Sequence, residues 1–159
     1  FFFTADDHER LIHRPKPLGD DATPSGNGVA ALVLQRLGHL LGAKHFLEAA
    51  ERALLAAREA VARFPSAHCT LLAALEEYLD PPQTIVLRGA AQATAPWLTR
   101  ANVRYAPHRI ALAIPPEAAN LPGVLAQHLP KDTVTAYVCS GLSCAAPVTT
   151  LTEFESQWM

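Results

Sequence analysis

The feature that most constrains this chain is a change of character at Asp80-Pro81-Pro82. Ahead of it, from about residue 25, the sequence is rich in Ala and Leu; behind it, short runs of β-branched and other apolar residues alternate with short helical stretches. Two adjacent prolines end a helix, because each lacks an amide donor and restricts the residue before it. The pattern predicts an α/β chain with an all-α first half, residues 1–80, followed by a small α/β module, residues 81–159.

In the first half, Ser25 reads as the N-cap of a helix running to about Gly42, with Ala30, Val33, Leu34, Leu37 and Leu41 at helical spacing. Val29, Leu32 and Leu40 widen that stripe, and a helix so apolar is expected to be buried on most sides. A second helix, Lys44 to Phe64, carries Phe46, Ala50, Ala53, Leu54, Ala57, Val61 and Phe64 on one face. Its pairs Glu48/Arg52 and Glu59/Arg63 have the favourable four-residue spacing. A third, from Ser66 to Leu79, aligns His68, Leu71, Leu72, Leu75 and Leu79, and the short links predict antiparallel hairpins.

In the second half, Thr84–Leu87, Arg109–Ile114 and Thr133–Cys139 read as strands. Helical stretches fall at Ala95–Tyr105 and at Leu121–Leu129 (capped by Asn120). A last helix follows Thr150, where Thr150-x-x-Glu153 forms a capping box. The order predicts a three-stranded, mostly parallel sheet, the third strand being open to an antiparallel place at the edge. Trp97 and Trp158 are expected to anchor short helices to that sheet, and Cys69 to pack in an apolar helix face.

Composition excludes several classes. A net charge of −2 with both signs scattered gives no footprint for nucleic acid. The longest uncharged run, Thr133 to Thr152, is broken by Thr, Ser, Gly and Pro, so no membrane span is expected. Three cysteines in a chain that is half hydrophobic point to a reducing, cytoplasmic setting rather than a disulfide scaffold. Phe1-Phe2-Phe3 would be core in a larger domain, and the chain is expected to be the C-terminal piece of a longer protein.

Several motifs recur in one order: Phe3-Thr4-Ala5-Asp6-Asp7, Arg14-Pro15-Lys16, Ala22-Thr23-Pro24-Ser25-Gly26-Asn27, and Ala136-Tyr137-Val138-Cys139-x4-Cys144-x2-Pro147-Val148-Thr149. Together they resemble the thioredoxin-domain-containing proteins related to spermatogenesis-associated protein 20, along nearly the whole chain but only over that family's C-terminal part. The resemblance implies an N-terminal thioredoxin-like domain and a helical region like the (α/α)6 toroid of epimerases and six-hairpin glycosidases. On that reading residues 1–80 are the toroid's last hairpins. Gly28, where relatives are expected to carry a small polar residue, and His68-Cys69 depart from the pattern.

Asp6-Asp7-His8-Glu9 sets four titratable groups in a row. On a toroid rim, Asp6, Asp7 and Asp21 would be cavity-lining acids, suited to glycosidic protonation or proton shuttling. The plainer reading is that Asp6 or Asp7 caps a helix over Asp7–His13. The turn-rich loop Gly19–Asn27 offers Ser25 and Asn27 for a sugar hydroxyl or an anion, or simply a helix cap, and has no phosphate-loop Lys. The two loops could converge on one rim. Cys139 and Cys144 are open to three readings: thiols supporting a turn, a reversible redox pair, or half of a zinc site that His108 and His128 would have to complete.

Three functions are therefore carried forward: a carbohydrate-handling toroid with a sugar ligand, a redox or chaperone-like scaffold using Cys139 and Cys144, and a purely structural module. No cofactor and no resident metal are expected. The expected partners are the N-terminal part of the longer protein and, through exposed helical faces, a second copy. Alone, the chain is expected to be catalytically inert.

Overall fold

A computed structural model describes residues 1–157. The chain divides into two compact units, residues 1–38 with 44–80, and residues 39–43 with 81–159.

In the first unit, residues 1–24 form turns and bends, so the helix considered over Asp7–His13 does not occur. α1 (Gly26–Leu41), of which the last residues belong to the second unit, is followed by α2 (Lys44–Arg63) and, after a 3-10 turn at Pro65–Ala67, by α3 (Cys69–Leu79). Ser25 caps α1: its Oγ accepts from the Gly28 amide at 3.1 Å.

The buried face of α1 is not the aliphatic one. Asn27, Gly28, Ala31, Gln35 and Gly38 are buried, while Val29, Val33 and Leu37 stand exposed one turn apart. Close approach explains the inversion: a Cβ at Gly28 would lie 2.9 Å from the Thr70 side chain, so only a small residue lets α1 come this near α3. The core cluster here is Ala31, Ala53 and Ala74, flanked by Leu32 and Leu54. Polar bonds complete it. Gln35 Nε2 donates to the Ala74 carbonyl at 2.8 Å, and Arg36 grips the buried Glu77 carboxylate through Nε, 3.0 Å from both oxygens. On α2, Glu48 pairs with Lys44 at 3.5 Å rather than with Arg52, and Phe64 is exposed. Cys69 is exposed too, against the expectation that it packs; its thiol donates to the Ser66 carbonyl at 3.4 Å.

The second unit holds β1 (Gln83–Arg88), α4 (Ala91–Asn102), β2 (Arg109–Ile114), β3 (Thr135–Ser140), β4 (Ser143–Cys144) and α5 (Leu151–Ser156). The sheet has four strands in the order β2-β1-β3-β4, not three. β1 and β2 are parallel, joined through α4; β3 runs antiparallel to β1, and β4 folds back on β3. The mostly parallel expectation fails for β3 because the segment before it supplies no crossover helix. Where a helix over Leu121–Leu129 was expected there is one 3-10 turn, Gly123–Gln127, with Asn120 and Gly123 both at positive φ. Asn120 shapes the loop rather than capping it.

β1 alternates cleanly between two cores. Ile85 and Leu87 join Trp97, Ala101, Val138 and Phe154 on one face, with the Trp97 and Phe154 rings 5.2 Å apart. Val86 joins Ile114 and Leu125 on the other, covered by Leu40 and Leu41. α4 starts earlier than expected and runs through Pro96. At α5 the N-cap half of the capping box forms: Thr150 Oγ1 accepts from the Glu153 amide at 3.3 Å, while the Glu153 carboxylate accepts from the Thr150 hydroxyl at 2.8 Å instead of from the Thr150 amide. The expectation for Trp158 falls outside the described residues.

Candidate functional site

The first candidate surface is the loop rim. Phe1, Phe2 and Phe3, together with Asp21, Thr23, Ser25 and Asn27, line an open pocket of about 390 Å³; the Gly19–Asn27 loop meets the leading phenylalanines there, not the Asp6–Glu9 segment. Asp6 and Asp7 do not line it. Asp6 is exposed and pairs with Arg14 at 2.9 Å, and Asp7 is exposed. Ser25 Oγ is engaged with the helix cap. The Asn27 amide donates to the carbonyls of Pro17 at 2.8 Å and Phe1 at 3.0 Å, which ties the leading segment to α1. Asp21 is the one acid in the pocket wall.

Its neighbour, Asp20, organises the loop and was not singled out by sequence. One carboxylate oxygen accepts from the Ser25 amide and the other from the Thr70 amide, each at 2.8 Å, so one side chain holds the starts of α1 and α3 together. Burial pushes its pKa up, but the two amides outweigh that and hold it below the ordinary value. An Asp five residues ahead of a capping Ser was the available signal.

The second candidate surface lies in the second unit. β3 turns into β4 across Gly141 and Leu142, with Gly141 at φ +57° in the conformation a two-residue hairpin turn favours for glycine. That register sets Cys139 directly opposite Cys144, and the two form a disulfide. Cys139 is buried and Cys144 exposed.

His128, just past the 3-10 turn, completes the cluster. A ring nitrogen of His128 and the two sulfurs all lie within 4.8 Å of one another. His108 is not part of this group. The His128 ring stacks on Tyr137, centroids 4.3 Å apart, and Tyr137 is fixed by donating its hydroxyl to the Leu129 carbonyl at 2.9 Å. Burial, assisted by the positive charge of Arg88, holds the His128 pKa below its ordinary value, so the ring is neutral at neutral pH. Nδ1 is buried without a hydrogen-bond partner, as is Thr84 Oγ1. These residues, with His39 and Val124, line a pocket of about 210 Å³ beside the disulfide.

Chemically the arrangement joins one accessible and one buried sulfur to a neutral imidazole. In the disulfide the sulfurs are spent as metal ligands; after reduction, two thiolates and His128 would make a three-donor set. Sequence reading picked out Cys139 and Cys144 and named His128 only alongside His108. Nothing in the spacing separates the two histidines.

No helix among the described residues is long and apolar enough to cross a membrane. No family model matches the chain, and no solved structure matches it. Over 143 residues, 82% of this chain, the sequence is 29% identical to spermatogenesis-associated protein 20 of Homo sapiens, and it spans 17% of that protein's length, a likeness that supports a relation to that family.

Proposed function

We propose that Cys139 and Cys144 form a reversible redox pair that exchanges with a dithiol partner, in the setting of a longer protein carrying a thioredoxin-like domain. The observation that carries this reading is the placing of one sulfur-bearing residue in solvent and its mate in the sheet, beside a neutral imidazole. In the reducing compartment expected for this chain, such a bond is transient rather than structural.

Exchange proceeds in two displacements. A donor thiolate attacks Cys144 Sγ, the S–S bond breaks, and Cys139 leaves with the electron pair and takes up a proton from solvent. The donor's second thiolate then attacks the mixed disulfide and releases Cys144 as a thiolate, so the donor is oxidised and the pair reduced. In the reverse direction Cys139 gives that proton back to solvent, with His128 as the neighbouring base that relays it in either direction, and the attacking thiolate is restored.

The test is native-state reduction of the full-length protein by reduced thioredoxin, read by alkylation and mass spectrometry. Both cysteines should become alkylated, and a Cys139→Ser variant mixed with oxidised thioredoxin, whose disulfide its Cys144 thiolate attacks, should give a mixed disulfide on Cys144. A bond that yields to reductant only after denaturation overturns the proposal.

The helical hairpins are read as part of a larger α/α ring. The support is the exposed Val29, Val33 and Leu37 stripe together with exposed Leu55, Phe64 and Leu79, a set of apolar groups suited to further helices. A sugar ligand at the Phe1–Phe3 and Asp21 pocket is a second reading, favoured by its aromatic wall. With one acid in that wall, the pocket lacks the carboxylate pair that hydrolysis uses.

A further inference from the structure

Arg88 ends β1, the strand shared by the parallel and antiparallel pairings, and its side chain is among the largest fully buried ones, 2% exposed. Its environment does not satisfy it. Nη2 makes two long hydrogen bonds, 3.4 Å to the Pro116 carbonyl and 3.3 Å to that of Ala118, while Nε and Nη1 are buried with no acceptor. Among the described residues no carboxylate pairs with it; Glu117, in the same loop, is exposed. A buried guanidinium keeps its charge at any physiological pH, so the missing counter-charge cannot be avoided by deprotonation. An unpaired buried charge is one of the most unfavourable features a fold can carry.

The position is also the one where ligands gather in sheets of this kind. Arg88 and Ile114 are paired residues at the carboxyl ends of parallel β1 and β2, and the loop leaving β2 bends over them. Arg88, Pro116, Ala118, Asn120, His128 and Pro130 are among the residues lining a pocket there of about 330 Å³. His128 Nδ1, buried, is a further nitrogen without a hydrogen-bond partner in that wall.

We infer that this pocket binds an oxyanion, the phosphate or carboxylate head of a small organic acid, on the guanidinium of Arg88. Each edge of the guanidinium is a fork of two donors that includes one of the unsatisfied nitrogens, Nε or Nη1, with a spacing that matches a planar or tetrahedral oxyanion; both nitrogens are closed to solvent, so the loop over Arg88 has to give way as the oxyanion enters. The pocket is roomier than a bare ion needs, which leaves space for the organic remainder. Cys139 and Cys144 are not among the lining residues, so the site stands whether or not the disulfide exchanges.

The experiment titrates the full chain with inorganic phosphate and, separately, with propionate, following the Arg88 Nε–Hε signal in nitrogen-edited spectra, with chloride at matched ionic strength as reference. A saturable shift with one oxyanion and not with chloride is expected, and which one responds identifies the head group. Arg88→Met, which keeps the shape and removes the charge, should weaken that affinity roughly tenfold or more, while Glu117→Gln should bind as the native chain does. Should Arg88→Met fail to fold, the native-chain titration decides alone. An Arg88 signal that moves no more with either oxyanion than with chloride overturns the inference, as does unchanged binding in Arg88→Met.

Discussion

The two units solve the problem of burial in opposite ways. The second places large side chains inside: Ile85, Leu87, Phe154 and Trp97 fill one face of the sheet, and β1 is covered on both sides. The first, apart from the fully buried Leu71, places mainly small residues inside, and an alanine cluster, a buried glutamine and an arginine–glutamate pair join α1 to α3 while Val29, Val33 and Leu37 face outward. A helix surface that buries glycine and alanine gains little transfer free energy per residue but permits close approach. The lesson is that the hydrophobic stripe of a helix need not mark the face it packs with first. In the first unit it marks a face still available for packing.

Four substitutions probe that contrast. Phe154→Ala should have the largest effect, about 4 kcal/mol lost from the second unit, since it opens a cavity in an aromatic core. Trp97 fluorescence during urea unfolding measures it, and a loss below about 1 kcal/mol would mean that the core is not close-packed.

Asp20→Asn should cost about 1 kcal/mol near neutral pH, because one of the two helix starts loses its charged acceptor. The folded-state pKa of Asp20 is depressed. Its contribution is therefore present above the unfolded value, near about 3.9, and is lost as pH falls through the folded value below it. Stability curves of the native chain and the variant should converge at low pH; a gap that stays constant would show that the carboxylate charge is not what matters.

The smallest effect is expected from the outward stripe. Val33→Gln and Leu37→Gln should change the stability of this chain by less than about 0.5 kcal/mol each. In the full-length protein, where the proposed ring would cover that face, the same pair should cost about 2 kcal/mol or more. Equal effects in both settings would remove the reason for placing further helices there.

Much of the architecture was legible. The double proline at the junction, the caps at Ser25 and Thr150, and the three helices of the first half follow from local chemistry that operates within a few residues. What escaped notice depends on contacts distant in sequence. Whether Val33 or Gln35 faces α3 is decided by what Thr70 and Ala74 leave room for. The direction of β3 depends on the loop before it, where Asn120 and Gly123 adopt positive φ. Arg88 lies one residue past the expected strand Thr84–Leu87 and was not singled out; its burial comes from the loop that folds over it after β2. A charged residue followed by glycine at the end of a parallel strand was the available hint. Asp20 was overshadowed by Asp21, because adjacent acids look alike until a backbone amide selects one.

The approach of α1 to Thr70 has a consequence for inheritance. A side chain at position 28 would meet the Ser25 hydroxyl at 2.8 Å and the Thr70 methyl at 2.9 Å, so position 28 cannot grow unless position 70 yields. Among descendants of a common ancestor, positions 28 and 70 should behave as one character, a larger residue at the first accompanied by a smaller one at the second.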